Sequence, residues 1–204
     1  MDGGLPAENC ADHVSLRFIQ SNLQRRKLNT AELLVEAERR EIAIALVHEP
    51  YVGNIGALRQ YPGCRVVQKA IPRRGPVKAD IIILDSDVDV EEDQTLIDEN
   101  VTAAVIVAGN CRIGVVSVYF EGDMPIGPYL DRVRYICSKL GTDKIILVGD
   151  VNVWSVWWGS EHDDARGVDL CDYFNAEELH ILNEGKTPTF EVYRGAVFSG
   201  AWWM

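Results

Sequence analysis

Five polar residues stand where apolar strands have no need of them: Asn22, Glu49, Tyr119, Asp150 and, two positions on, Asn152. Asn22 closes Ile-Gln-Ser-Asn, Glu49 sits in Val-His-Glu-Pro-Tyr, and Tyr119 lies in Ser-Val-Tyr-Phe. Two carboxylates with supporting amides suit a hard, oxygen-seeking cation such as Mg²⁺, which takes few protein ligands and keeps several waters. A tyrosine hydroxyl beside them could hydrogen-bond a phosphate oxygen and steady the charge that builds during phosphoryl transfer. Each residue also has a plainer reading. Gly149, Asp150 and Asn152 are favoured turn residues, Tyr119 fits a packed strand aromatic, and Glu49 fits a strand-end carboxylate.

The elements that must position these groups can be read from periodicity. Leu16 to Asn22 and Ile42 to His48 are apolar enough for strands, with Pro50 stopping the second. Between them Asn29 is placed to cap a helix, Glu32 to reach back to it, and Ala31, Leu34 and Ala37 to line its buried face. Short strands follow over 65–69, 79–84, 101–107 and 112–120, with the acidic run 85–92 as a solvated connection. A helix over 125–140 carries Leu130, Val133, Ile136, Cys137 and Leu140 on one face, and Gly141 ends it. Residues 144–148 read as a strand buried on both faces. If the chain stays extended beyond it, Asp150 and Asn152 point to the same side. A tryptophan-rich loop, a helix over 165–178 and a last strand over 187–192 complete the order. Too many consecutive strands lack helices for a doubly wound sheet, so the pattern predicts a layered α/β protein with mixed sheets. No domain boundary interrupts it. Residues 1–14 read as a flexible tail and 15–204 as one domain.

The bulk properties narrow the function. The 204 residues are 47% hydrophobic and 25% charged, and no apolar run approaches the roughly 18 residues of a membrane helix. Five cysteines without close pairs or metal-type spacing point to a reducing, intracellular setting. The net charge of −11 argues against a general nucleic-acid coat, because phosphate binding is driven by Lys and Arg. It leaves room for a nuclease with a local basic surface. Lys69, Arg73, Arg74 and Lys78, on a Pro/Gly loop, are the candidates for DNA-backbone contact. Trp154, Trp157 and Trp158 could stack on DNA, although packing beneath their loop is expected of at least one.

The order of the motifs says more than any one of them. Asn22, Glu49, Tyr119 and Gly149-Asp150-Val151-Asn152 resemble the endonuclease/exonuclease/phosphatase family, which includes DNase I and the apurinic endonucleases. Trp157-Trp158-Gly159-Ser160, Asp164-Ala165-Arg166-Gly167, Leu182-Asn183 and Thr187-Pro188-Thr189-Phe190 look more particularly like the endonuclease domain of insect non-LTR retrotransposons. The resemblance spans Leu16 to Tyr193. It implies a four-layer α/β-sandwich, two mixed sheets flanked by helices, with the site at one rim. It implies that Asn22 and Glu49 form the metal site, with Glu49 the direct ligand. Tyr119 would contact the scissile phosphate, and Asp150 and Asn152 would orient the nucleophile or the phosphate. The implied cofactor is Mg²⁺, with Mn²⁺ as a substitute. The implied partners are DNA and a covalently attached reverse transcriptase, which places the protein in the nucleus if it acts on chromosomal DNA.

One family feature has no counterpart. Family members carry Ser-Asp and then Ser-Asp-His on further strands, whereas the last histidine here is His180 and the last aspartate Asp172. His13, His48, His162 and His180 match no such motif, and His48, neighbouring Glu49 on a strand, should face the core. The expectation is therefore a sandwich incomplete at its C-terminus, truncated before its last strands. Besides the DNA endonuclease, two functions stay open: a phosphatase or phosphodiesterase of the same superfamily, and an inactive remnant.

Overall fold

The first strand, β1 (Phe18–Asn22), lies parallel to β2 (Ile44–His48), and helix α1 (Lys27–Arg39) makes the crossover between them. The computed structural model describes residues 15–182 and the backbone of residues 190–194 and 197–201. The 1–14 tail expected from the sequence therefore lies outside the described residues. Strands β3 (Arg65–Val67) and β4 (Ala79–Ile83) complete the first sheet, in the order β1-β2-β4-β3. The second sheet runs β5-β6-β7-β8, from β5 (Asp89–Glu91), β6 (Val101–Ala108), β7 (Cys111–Tyr119) and β8 (Ile145–Asp150). Its β7 and β8 are parallel, joined across α2 (Gly127–Lys139), and its other pairs are antiparallel. Both sheets are mixed, as the strand order of the sequence requires.

The layers follow from alternation along the strands. Ile44 and Leu46 of β2, Ile81 and Ile83 of β4, Ala104 and Ile106 of β6 and Val115 of β7 form the apolar filling between the sheets. The opposite residues of the first sheet, Ala45, Val47, Val66 and Ile82, pack with Leu33 of α1. On the far side, Val116 and Val118 pack against Leu130, Val133 and Ile136 of α2 and against Leu170 and Phe174 of α3 (Ala165–Ala176). The result is the helix–sheet–sheet–helix sandwich.

Several local expectations change. Helix α1 begins at Lys27, and Asn29 donates to the carbonyl of Leu23 at 3.1 Å rather than capping. Its buried face is Thr30, Leu33 and Ala37, with Ala31 exposed. Two of the three expected positions thus move back by one residue, while Ala37 keeps its place. The acidic run 85–92 contains strand β5, whose Glu91 is held by Arg112 across the sheet. Strand β8 is half-buried along Ile145–Val148 because it lies at the sheet's edge, not buried on both faces. The strand expected over 187–192 is observed as Phe190–Arg194 (β9), which pairs antiparallel with a further strand, Val197–Ala201 (β10), as a two-stranded sheet. Residues 187–189 lie outside the described residues.

Gly149 shows how tightly β7 and β8 meet beside Asp150. A Cβ there would fall 2.1 Å from Cγ2 of Val118 and 2.6 Å from its carbonyl oxygen. Backbone cannot yield as a side-chain tip can. Gly149→Ala is therefore expected to lower stability by about 1–3 kcal/mol, read as a reduced denaturation midpoint; an unchanged midpoint would show that β8 can slide.

Candidate active site

The polar residues picked from the sequence come from both sheets and meet at one rim. On β1, β2, β7 and β8 the residues facing between the sheets alternate down to Asn22, His48, Tyr119 and Asp150. Asn22 makes the junction. Its Nδ2 donates to Asp150 Oδ2 at 2.7 Å and to Glu49 Oε2 at 3.3 Å, while its Oδ1 accepts from the Gln24 amide at 2.8 Å. One carboxamide thus ties a carboxylate of the first sheet's rim to one of the second's.

The carboxylates differ in environment. Asp150 is buried, and its Oδ1 has no hydrogen-bond partner. Burial first, and the negative charge of Glu49 after it, push its carboxyl up to about 7, against the pull of the Asn22 hydrogen bond. Glu49 is only half-buried and pairs with Arg25, Nη2 to Oε1 at 3.0 Å. Its backbone is left-handed at φ +46, a conformation uncommon for a residue with a Cβ. Two hydrogen bonds hold it there: Glu49 N–H to the Lys78 carbonyl at 2.8 Å, and Arg25 N–H to the Glu49 carbonyl at 2.7 Å.

Tyr119 is buried, only 8% exposed. Burial, the charges of Glu49 and Asp150, and a hydrogen bond to Glu49 push its hydroxyl up to about 12. It therefore remains a hydrogen-bond donor throughout the neutral range. Lys78 Nζ sits 5.8 Å from the centre of the Tyr119 ring and is paired with Glu121. Asn152 departs from the extended reading. The strand stops at Asp150, Asn152 takes φ +49, and its amide donates to the Phe120 carbonyl at 2.9 Å. It braces the end of β7 from an exposed position and does not share a strand face with Asp150.

Beneath the rim lies a polar layer that the sequence did not reveal. Gln20 Nε2 donates to the Gly149 carbonyl at 3.2 Å, His48 Nε2 meets Ser117 Oγ at 3.1 Å, and Thr102 Oγ1 donates to the Ala79 carbonyl at 2.7 Å. Each contact crosses from one sheet to the other, fixing the distance between Asn22 and Glu49 on one side and Tyr119 and Asp150 on the other. Burial drives the His48 imidazole down to about 3, so it is neutral. As expected, it belongs to the core. Arg166, within Asp164-Ala165-Arg166-Gly167, has a structural task. Its guanidinium binds the carbonyls of Glu121 at 2.8 Å, Gly122 at 3.1 Å and Val151 at 3.3 Å, tying the loops after β7 and β8 together.

The basic loop is largely committed to structure. Lys69 donates to the Gln94 carbonyl at 3.1 Å, and Arg73 bonds the carbonyls of Lys69 at 3.1 Å and Ile55 at 2.8 Å. Arg74 and Lys78 instead line a cavity of about 500 Å³ beside the site, together with Tyr129 and Arg132. Of the tryptophans, Trp158 is buried, while Trp154 and Trp157 are exposed and Trp154 stacks on His162 with ring centres 5.5 Å apart.

The donor set accepts a hard cation. Glu49 offers a reachable carboxylate and Asp150 a buried acceptor without a partner, whereas Asn22, expected in the metal site, turns its Nδ2 to both carboxylates and its oxygen to the Gln24 amide, so it positions them. Among the described residues no group of three or more His, Cys, Asp or Glu is placed to hold a metal ion; Mg²⁺ is commonly held through one or two carboxylates and keeps several waters. A consequence can be checked without substrate. Because the Asp150 carboxyl titrates higher folded than unfolded, the fold holds the extra proton between about pH 4 and 7, and stability falls as pH rises through that window. In EDTA, Asp150→Asn should therefore be more stable than wild type at pH 8, by up to about 4 kcal/mol. The two should converge near pH 4. Parallel melting curves across this range would refute the buried-acid assignment.

A four-layer sandwich with this constellation at the rim is a fold of the endonuclease/exonuclease/phosphatase type. Residues 113–198 match the family model described as endonuclease-reverse transcriptase. The solved endonuclease domain of TRAS1, a telomere-specific non-LTR retrotransposon, superposes with a TM-score of 0.82 at 43% identity, over 92% of this chain and 82% of that one. A putative 115 kDa protein in the type-1 retrotransposable element R1DM of Drosophila melanogaster is 31% identical over 186 residues, which are 87% of this chain and 18% of that protein. The Pol polyprotein of type-1 retrotransposable element R1 from Bradysia coprophila is 28% identical over 138 residues, 63% of this chain and 14% of that polyprotein. The chain belongs to the family of non-LTR retrotransposon endonuclease domains. It spans less than a fifth of the length of the two curated relatives.

Proposed function

We propose that the chain binds a divalent cation through Glu49, Mg²⁺ in the cell with Mn²⁺ as a substitute, and nicks DNA by hydrolysing a phosphodiester. The observation that carries this is the Asn22 bridge, 2.7 Å to Asp150 and 3.3 Å to Glu49, which brings two unlike carboxylates to one rim. The cation supplies Lewis-acid stabilisation of the charge that builds on the phosphate. Asp150, with a proton affinity near neutrality, orients water and accepts its proton. Tyr119 donates to a non-bridging phosphate oxygen, and Asn152 holds the β7 end that carries Tyr119. Arg74 and Lys78, with Lys69 and Arg73 shaping their loop, receive the DNA backbone in the adjoining cavity. In the full element a reverse transcriptase would be covalently attached, and the domain would work in the nucleus on chromosomal DNA.

A direct test offers purified chain two substrates, supercoiled plasmid and a small phosphomonoester, each with Mg²⁺ or EDTA. The endonuclease reading expects nicked circles only with Mg²⁺ and no release of inorganic phosphate from the monoester. Phosphate release without nicking would assign the domain to the phosphatase side of the superfamily.

A further inference from the structure

Arg25 stands where neither the motif order nor the charge pattern pointed. It follows Asn22 in Asn-Leu-Gln-Arg-Arg-Lys. Two successive non-glycine residues, Gln24 at φ +50 and Arg25 at φ +55, are left-handed, and strain of this kind persists where the surroundings impose it. The imposing contacts are all at the site: Gln24 N–H to Asn22 Oδ1 at 2.8 Å, Arg25 N–H to the Glu49 carbonyl at 2.7 Å, and Arg26 N–H to the Leu23 carbonyl at 2.9 Å. The backbone of Arg25 is therefore pinned against Glu49. Its side chain is not: it is 61% exposed, and among the described residues its ion pair is with Glu49.

That pairing sets up a competition. The guanidinium occupies Oε1 of the carboxylate assigned to the cation, and a half-solvated ion pair is weak. A divalent ion at Glu49 carries twice the charge and would repel the guanidinium. Once released, Arg25 has a fixed pivot within reach of the Tyr119 side of the rim. Its charge already opposes the upward shift of the Tyr119 hydroxyl and contributes to lowering Lys78. Arginine presents a planar fork matched to phosphate oxygens.

We propose that Arg25 is a cation-released phosphate ligand: it neutralises Glu49 in the metal-free protein and passes to the substrate phosphate when a divalent cation takes that carboxylate. This rests on the metal-dependent nuclease reading. It couples cation and DNA binding, so that the phosphate clamp is available only when the cation is in place.

The test is a thermodynamic cycle on the whole chain, using fluorescence anisotropy of a labelled duplex oligonucleotide at low, constant ionic strength. Wild type and Arg25→Ala are compared in EDTA and in Ca²⁺, with circular dichroism to confirm equal folding. The expected result is a loss of about tenfold in DNA affinity for Arg25→Ala in Ca²⁺ and less than a twofold loss in EDTA. Calorimetry without DNA should show the variant binding Mn²⁺ more tightly than wild type, because the competing cation is gone. Arg25→Lys should restore only part of the Ca²⁺-dependent affinity. An equal loss with and without Ca²⁺, or no loss in either, overturns the release. If Ca²⁺ gives the wild type no added DNA affinity, the metal-dependent reading itself falls, and the release with it.

Discussion

Asp150→Asn is expected to lower the nicking rate by about 10²–10⁴-fold, the usual contribution of a positioned acid–base group, while leaving affinity for DNA nearly unchanged. Asparagine keeps the volume and can still accept from Asn22, so the rim should retain its geometry. What it cannot do is take a proton. The wild-type carboxyl is suited to that exchange, because burial and the neighbouring Glu49 push it up to about 7. Wild-type activity should accordingly fall as pH drops below neutrality. A bound cation favours the ionised carboxylate, so the midpoint of this limb should move lower as cation concentration rises. The variant should show no such limb. A variant within tenfold of wild type at all pH values would assign Asp150 to structure alone.

The second large effect is expected at Glu49. Glu49→Gln removes the formal charge that a divalent ion needs but keeps the backbone bonds to Lys78 and Arg25 that hold the residue at φ +46. Folding should therefore survive. A metal acting as Lewis acid is worth several kcal/mol, so the rate at fixed Mg²⁺ should fall by about 10²–10³-fold. Calorimetric Mn²⁺ affinity should fall at least about tenfold. The two variants should also differ in character, Glu49→Gln losing cation binding and Asp150→Asn keeping it. Unaltered Mn²⁺ binding by Glu49→Gln would move the cation elsewhere.

The sequence made the strands legible because their apolar runs are dense, and it made the rim legible because Asn22, Glu49, Tyr119 and Asp150 each interrupt such a run. It failed where the deciding fact is tertiary. Helix α1 starts at Lys27 because the loop that Asn22 and Glu49 shape delivers the chain there, and no capping side chain marks the spot. Residues 145–148 read as doubly buried because local sequence does not say whether a strand has a neighbour on each side. Asn152 read as a face-mate of Asp150 because period two assumes extended backbone, and φ +49 breaks it. The polar layer of Gln20, His48, Ser117 and Thr102 consists of ordinary strand residues whose partners lie on the opposite sheet, up to 129 positions away. Arg25 opens a run of three cations separated from Asn22 by two residues, a pattern common in solvated loops, and only the fold shows that the first of them reaches Glu49.

The most direct test of the site is a nicking time course on supercoiled plasmid with the wild-type chain in Mg²⁺, the same chain in EDTA, and Asp150→Asn in Mg²⁺. The account predicts open circles accumulating in the first reaction alone. Equal nicking by Asp150→Asn, or by wild type in EDTA, would contradict it.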